Sequence, residues 1–236
     1  MEERIRINKY LSQAGVLSRR KADEAVQNGE ITINGTVATM GETVSENDEV
    51  RYKGDLVTPR KEKVVIAYNK PLGQECTSAQ ASKDSVFRFL DHPEMLYYVG
   101  RLDKNSQGLL LLTNDGELAN SIQKARNNHE KEYMVRVDKP LTEEFIKGMS
   151  SGVPLEERRT KKCKVKQTGQ NSFNIILTEG LNRQIRRMCE YFGYRVQSLK
   201  RIRVMNIKLG NLEKGKWRNL TPEELRILKS SLEKDS

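Results

Sequence analysis

The chain has 236 residues, and its 42 lysines and arginines outnumber its 32 aspartates and glutamates, giving a net charge of +10. This length accommodates one large domain or one medium and one small domain, and the basic balance favours a polyanionic partner, most commonly nucleic acid. No apolar run approaches the roughly 18 residues that span a bilayer, and the start of the chain lacks the apolar core of a signal peptide. We therefore expect a cytoplasmic protein without a membrane partner.

The reactive side chains exclude several kinds of chemistry. The cysteines Cys76, Cys163 and Cys189 are far apart in sequence, and the histidines His92 and His129 are isolated from each other. This pattern fits neither a disulfide framework nor a zinc site, and it makes a histidine-based triad improbable. We therefore expect no metal site built from His and Cys. Any catalysis must then use Asp, Glu, Tyr, Lys or Arg side chains.

Residues 1–53 predict a small module of two helices followed by strands. Apolar side chains recur at helical spacing over residues 7–14, and Ser18 is a good N-cap for a second helix. Two short apolar strands then flank Asn34-Gly35, a dipeptide typical of β-hairpin turns, and one further strand follows. The pattern therefore predicts a compact helix–helix–strand module.

A linker is predicted at 54–63, where Pro59 precedes a run of charges, and a larger domain follows at 64–236. Strands are predicted at 64–68, 109–113, 133–137 and 173–178, and helices at 117–125, 142–149 and 183–192. A capping box that starts at Thr221 predicts a last helix. Because strands and helices intermix without a regular βαβ repeat, we expect an α+β fold.

A cluster of cations, Arg19, Arg20 and Lys21, lies at the predicted start of the second helix. Cations there oppose the helix dipole, and a phosphate held by the free N–H groups would offset this cost. The cluster therefore predicts an RNA contact. The alternative is a solvated run of charge.

One polar loop holds a single carboxylate, Asp103, between Gly100 and Gly108 and runs into a strongly apolar strand. Loops on rigid strands often carry catalytic groups. Arg101 and Lys104 flank Asp103 and should keep its carboxylate ionised, which suits a nucleophile or a base better than an acid. The alternative is a loop aspartate that makes a turn or a salt bridge.

A basic helix and a basic strand are predicted near 181–203. Apolar side chains stack on one helix face, so the arginines fall on the opposite face, and few acids balance them. The cations of this helix and of the strand after it are Arg183, Arg186, Arg187, Lys200, Arg201 and Arg203. Together they predict a phosphate-binding surface. Tyr133, at the start of another strand, is by itself more typical of packing than of chemistry.

Taken together, the motifs closely resemble the small-subunit and large-subunit ribosomal RNA branch of the pseudouridine synthases. The motifs are NKPLG (69–73), GRLDKNSQGLLLLTNDG (100–116), HEKEYMV (129–135) and LTEGLNRQIRRM (177–188). Residues 5–52, with Ser18 to Ala22, resemble the RNA-binding domain first seen in ribosomal protein S4. HEKEY and KKCKVK (161–166) are most similar to members that act on large-subunit (23S) ribosomal RNA.

The resemblance implies a mixed, mainly antiparallel catalytic sheet and an RNA isomerase without metal or cofactor. Asp103 would be the catalytic aspartate, and Arg186 would pair with it and orient it. Tyr133 would stack on the uracil and handle the proton released at the ring carbon, and Arg101 would fill the gap left by the flipped nucleotide. The chemical role of the aspartate and the target uridine stay open, as does transfer RNA as a second substrate. We expect a monomer.

Two other functions are compatible with parts of the sequence. A non-catalytic RNA-binding or ribosome-assembly protein would use the same basic surfaces, but binding alone gains nothing from Asp103 among phosphates. A glycosidic hydrolase usually needs two carboxylates, and no convincing second one accompanies Asp103.

Overall fold

The structure of the protein, a computed structural model, describes residues 4–58, 62–77, 82–123 and 128–233. The chain divides into two compact units. The first comprises Met1–Val64 with the short segments Pro93–Leu96 and Asn114–Gly116, and the second comprises the remainder. The position of the boundary between two folding domains stays a prediction.

The first unit contains the predicted helix–helix–strand module. Its elements are β1 Ile5–Arg6, α1 Ile7–Gln13, α2 Arg19–Gln27, β2 Ile31–Ile33, β3 Thr36–Val37, β4 Thr43–Val44, β5 Val50–Tyr52 and β6 Asp55–Leu56. The Ser18 side chain caps α2 by accepting a hydrogen bond from the Lys21 N–H. Asn34 and Gly35 both have positive φ, at 51° and 82°, as the tight turn between β2 and β3 requires. The apolar face of α1 is buried in one core with α2 and the strands.

The linker predicted at 54–63 begins too early. Asp55–Leu56 forms β6, which pairs with β5 at the edge of a four-stranded sheet ordered β3-β2-β5-β6. Val57 is buried in the same core, because its N–H donates to Val50 and extends the pairing. Residues 59–61 of the predicted linker lie outside the described residues.

The second unit is built on one sheet of nine strands with helices packed against it. Its elements are β7 Val65–Lys70, α3 Val86–Phe89, β8 Tyr97–Val99, β9 Gln107–Thr113, α4 Gly116–Gln123, β10 Lys131–Val137, α5 Glu143–Ser151, β11 Lys164–Gly169, β12 Ser172–Leu177, α6 Gln184–Tyr191, β13 Val196–Val204, β14 Ile207–Lys208, β15 Trp217–Asn219 and α7 Pro222–Glu233. The predicted α+β class and mainly antiparallel sheet are confirmed. Residues 124 and 125 of one predicted helix lie outside the described part of the chain.

The strand order β11-β12-β10-β13-β9-β7-β15 brings two sequence-distant halves together. The pairings are antiparallel except at the centre, where β13 runs parallel to β9 with Arg201 opposite Gly108. One apolar core packs α4 and α7 on β7 and β9, and a second packs α5 and α6 on β10 and β12. Within the described residues, no helix is long and apolar enough to cross a membrane.

Candidate active site

Asp103 lies on the loop that joins β8 to β9, and main-chain contacts hold this loop. The Lys104 carbonyl accepts from Gly73 N–H (2.9 Å), and the Asp103 carbonyl accepts from Ser106 N–H (3.0 Å). We expected Lys104 to help keep the Asp103 carboxylate ionised, but the two side chains do not pair. The Lys104 ammonium pairs instead with Asp84 (2.7 Å) and Glu75 (3.2 Å). Among the described residues, the Asp103 carboxylate forms no hydrogen bond or ion pair and is left to face a cleft.

The cleft has a volume of about 340 Å³ and brings together five of the twelve predicted site residues. Its lining includes the Asp103 loop and the segment 179–185 that leads into α6. The predicted residues that line it are Arg101, Asp103, Tyr133, Arg183 and Arg201. Two buried donors at this cleft, Ser106 Oγ and Arg201 Nη2, have no hydrogen-bond partner in the described part of the chain. Such orphaned groups are rare in native structures and need an explanation.

Gly108 lets the two halves of the sheet meet directly below the cleft. Its φ is +103°, and a Cβ atom there would lie 2.2 Å from the Arg201 carbonyl oxygen. No residue with a side chain fits this position, because the clash is with backbone. The close approach also lets the Arg201 guanidinium donate through Nε to the Leu109 carbonyl (2.7 Å) on β9.

Tyr133 points into the cleft from β10, beside an irregularity in the sheet. Glu132 pairs with Arg203 on β13, whereas Tyr133 pairs with Arg201, so Ile202 is an extra residue in that strand. A bulge of this kind re-aims nearby side chains. As a result Tyr133 and Arg201 share the face that lines the cleft.

Arg186 is buried, which differs from the solvated position expected on the polar face of α6. Its Nη2 donates to the Asn105 carbonyl (2.5 Å) and its Nη1 to the Val196 carbonyl (3.3 Å). No ion pair joins it to Asp103 among the described residues, although the aspartate lies within electrostatic range: burial and Arg183 lower the pKa of Arg186, and Asp103 opposes them. Arg186 therefore holds the Asp103 loop through its backbone.

Two lysines with lowered pKa, the buried Lys70 and the half-buried Lys131, were not identified from the sequence. Burial lowers the pKa of Lys70 to about 8, and the nearby Asp103 carboxylate partly offsets this effect. Burial and Arg201 lower the pKa of Lys131, which lines the cleft, to about 8. Lys70 is satisfied by the carbonyls of Pro71 (2.9 Å) and Gln74 (2.7 Å). Within the described residues, no cluster of His, Cys, Asp or Glu could hold a metal ion.

Glu179, which lies in the motif at 177–188, also lines the cleft and was not predicted as a site residue. Its carboxylate is buried and accepts from Arg158 Nη2 (2.7 Å), Lys161 N–H (2.8 Å) and Gln184 Nε2 (2.9 Å). Gln184 in turn accepts from Leu181 N–H (3.0 Å), so the network holds the segment 179–185 that lines the cleft. The signal in the sequence was one acid inside a strongly basic motif.

The predicted RNA-binding cations are found in four different settings. Arg19, Arg20 and Lys21 are exposed at the start of α2, as expected. Arg101, Arg183 and Arg201 line the cleft, although Arg201 is almost fully buried.

Arg187 and Arg203 are held by carboxylates. Arg187 contacts Glu157 with both Nη atoms, and Arg203 pairs with Glu130 and Glu132 at 2.9 Å. Lys200 lies on the opposite face of the sheet from Arg201, since neighbouring residues of a strand point to opposite faces. The predicted single surface from α6 to β13 is therefore wrong: its cations are divided between the cleft, ion pairs and the far face of the sheet.

Comparison with known proteins supports the family resemblance found in the sequence. Residues 64–191 match the RNA pseudouridylate synthase family, and residues 5–50 match the S4 domain. The chain is 49% identical to the dual-specificity RNA pseudouridine synthase RluF of Escherichia coli strain K12, over 98% of this chain and 81% of that protein. It is 36% identical to ribosomal large subunit pseudouridine synthase B of Bacillus subtilis strain 168, over 95% and 96% of the two chains.

A crystal structure of a pseudouridylate synthase superposes with a TM-score of 0.71 at 29% identity, covering 95% of this chain and 99% of the other. The fold and the cleft thus define an RNA-modifying enzyme that carries a separate RNA-binding module. The chain belongs to the RNA pseudouridylate synthase family and is an RNA pseudouridine synthase. The predicted family is confirmed, and the non-catalytic alternative is set aside.

Proposed function

We propose that this enzyme converts one specific uridine of large-subunit (23S) ribosomal RNA to pseudouridine in the cytoplasm. The similarity to RluF, a dual-specificity enzyme by name, and to a large-subunit enzyme of Bacillus subtilis supports this substrate. A transfer RNA is the second substrate class to test. The observation that carries the proposal is the Asp103 carboxylate, which has no hydrogen-bond or ion-pair partner among the described residues and faces a cleft with two orphaned donors.

The reaction needs no other reactant. The bond from the ribose C1′ to N1 of uracil breaks, the ring rotates, and a bond from C1′ to C5 forms, while the proton on C5 leaves and N1 gains one. Asp103 is the catalytic group of this proposal, as nucleophile or base. Arg186 is a positioning residue, because its guanidinium clamps the Asn105 carbonyl and so holds the loop that carries Asp103.

Rotation of the uracil requires that the base leave the RNA stack, at a cost of a few kcal/mol. Tyr133 offers a half-buried aromatic face in the cleft for the extruded base. Arg101 is exposed at the rim and would occupy the vacated space in the RNA. Arg183, at the start of α6, lines the same cleft and is placed to contact a phosphate. The monomeric state stays a prediction.

The test is Asp103→Asn, which keeps the shape of the side chain and removes its charge. Pseudouridine formation in a 23S fragment is measured under single-turnover conditions at saturating RNA, together with RNA affinity. We expect normal folding and affinity with no isomerisation. A rate above one tenth of wild type would contradict the proposal.

The matched control is Asp138→Asn. Asp138 follows the far end of β10 and binds Arg195 through its carboxylate, outside the cleft. Its variant should isomerise uridine at the wild-type rate. Mapping pseudouridines in ribosomal and transfer RNA from cells with and without the protein identifies the substrate.

A further inference from the structure

The sheet of the second unit has a face that the catalytic cleft does not use. Along β10, Tyr133 and Val135 point toward the cleft and the core beneath α5 and α6. Met134 and Arg136 point the other way and are exposed. Register continues this outer face across the neighbouring strands: Lys166, Asn174, Met134 and Lys200 are directly paired on β11, β12, β10 and β13.

This outer sheet face, which we define by Lys164, Lys166, Arg136 and Lys200, is strongly basic. Lys164, Lys166 and Arg136 are exposed and Lys200 is half-buried. None of the four has an ion pair or a side-chain hydrogen bond among the described residues. The carboxylate that shares the face, Glu132, is already neutralised by Arg203 at 2.9 Å. The surplus of four positive charges therefore has no counterpart in the described part of the protein.

The four cations cover an area of the sheet whose size suits a nucleic-acid backbone. Strands lie about 4.8 Å apart and alternate residues about 6.7 Å apart, so this area extends roughly 14 Å from Lys166 to Lys200 and roughly 7 Å along β11. Positive side chains on an open surface of this size neutralise phosphates and release counterions. By register, the outer positions of β10 to β13 carry no aromatic side chain on which an unpaired base could stack.

We propose that the outer sheet face binds the phosphates of a double-stranded RNA segment that flanks the target uridine. Helical RNA is recognised through shape and backbone contacts, which four unpaired cations without aromatic neighbours can supply. The proposal rests on the proposed function for the presence of RNA, and it adds a contact outside the cleft and outside the S4 domain.

Protection of a sheet edge is the competing explanation for part of this charge. β11 is the edge strand, and lysines on edge strands prevent sheets from adding to one another. Arg136 and Lys200 lie on inner strands, however, so edge protection does not account for them.

The test is the triple variant Arg136→Ala/Lys164→Ala/Lys166→Ala, assayed for RNA affinity as a function of salt. Two RNAs are compared, a minimal stem-loop with the target uridine and the same loop with long helical flanks. At about 0.7–0.9 per phosphate contact, the slope of log affinity against log salt should flatten by roughly 2.1–2.7 for the long RNA alone. Raising salt fourfold would then weaken the wild type roughly 20- to 40-fold more than the variant.

Two controls accompany the triple variant. Lys214→Ala/Lys216→Ala/Lys229→Ala removes three other exposed lysines and should leave the slope unchanged. Arg136→Lys/Lys164→Arg/Lys166→Arg keeps the charge and should restore the wild-type slope. The single-turnover rate at saturating RNA should stay at the wild-type value, since the outer sheet face lies away from the cleft.

Several results would overturn the proposal. An unchanged salt slope with the long RNA would do so. Aggregation of the variant together with an unchanged slope would indicate edge protection. Weaker binding to ribosomal particles together with an unchanged slope would indicate a surface that docks a protein. An equal change with both RNAs, or with the control triple, would do so as well. If the wild-type enzyme formed no pseudouridine in these RNAs, that result would count against the proposed function. The salt slopes would still show whether the outer sheet face binds RNA.

Discussion

Glu179→Ala is the sharpest test of how the cleft is built, because it removes the centre of a buried network. The Glu179 carboxylate is 2% exposed and accepts from three donors that come from two different segments. Two of these donors, Lys161 N–H and Gln184 Nε2, are neutral; the Gln184 bond is buried, whereas the Lys161 bond is only partly buried. The third, Arg158, is half exposed and can turn to solvent.

The expected loss follows from these contacts. A buried neutral donor left without a partner costs about 1–3 kcal/mol, which applies in full to Gln184 Nε2 and only in part to the partly buried Lys161 N–H. The exposed guanidinium contributes about 0–1 kcal/mol, since its charge is screened by water. This loss is a large share of a typical free energy of unfolding of about 5–15 kcal/mol. Because Gln184 also holds Leu181 N–H, the segment 179–185 that lines the cleft should move as well.

Urea denaturation of the variant measures the loss, and single-turnover isomerisation at saturating RNA measures the effect on the site. We expect the rate to fall at least tenfold, because displacement of a catalytic wall by about 1 Å can cost a hundredfold. Glu179→Gln keeps an acceptor for both neutral donors and should lose much less stability. Glu157→Gln, a carboxylate exposed on the surface, is the matched control and should stay near wild type. A loss below about 1 kcal/mol for Glu179→Ala would refute the reasoning.

Two further predictions address the separation of chemistry from binding and the buried lysine. Arg186→Ala should lower the single-turnover rate more than it lowers RNA affinity. Arg19→Ala/Arg20→Ala should leave that rate unchanged and flatten the salt dependence of affinity by a slope of roughly 1.4–1.8. An equal loss of the rate at saturating RNA in both variants would contradict separate surfaces for chemistry and binding. The pKa of Lys70 is lowered from 10.5 to about 8, so between those pH values the unfolded chain binds more protons. The free energy of unfolding should therefore rise with pH across that window, and Lys70→Met should remove this part of the rise in denaturation curves recorded from pH 7 to 11.

Local elements could be predicted because their signals lie within a few residues. Ser18 caps α2 through the N–H three positions later, and Thr221 and Glu224 exchange capping hydrogen bonds at the start of α7. The Asn34-Gly35 turn needs two positive φ angles, which these residues adopt readily. The Asp103 loop was identifiable for the same reason, since its glycines and its single carboxylate are neighbours in the sequence.

The side of the sheet on which each basic residue lies was not predictable from the sequence. Lys200 and Arg201 are adjacent, yet one faces outward and the other reaches the cleft. The extra residue Ile202 then changes the alternation, so Arg203 meets Glu132. Position in a strand decides the face only once the register and its irregularities are known, and those depend on the whole sheet.

The sequence alone determined the class of the enzyme and its two kinds of structural unit, and it singled out Asp103 as the carboxylate proposed to be catalytic. The tertiary structure decided which charges are available: Arg187 is held by Glu157, 30 residues away, and Glu179 is reached by Arg158, 21 residues away. Arg186 meets Asn105 across 81 residues. Such partners meet only when distant strands and loops pack together. Ion pairs and hydrogen bonds form over a few ångströms in space, and separation along the chain does not show which residues will come that close.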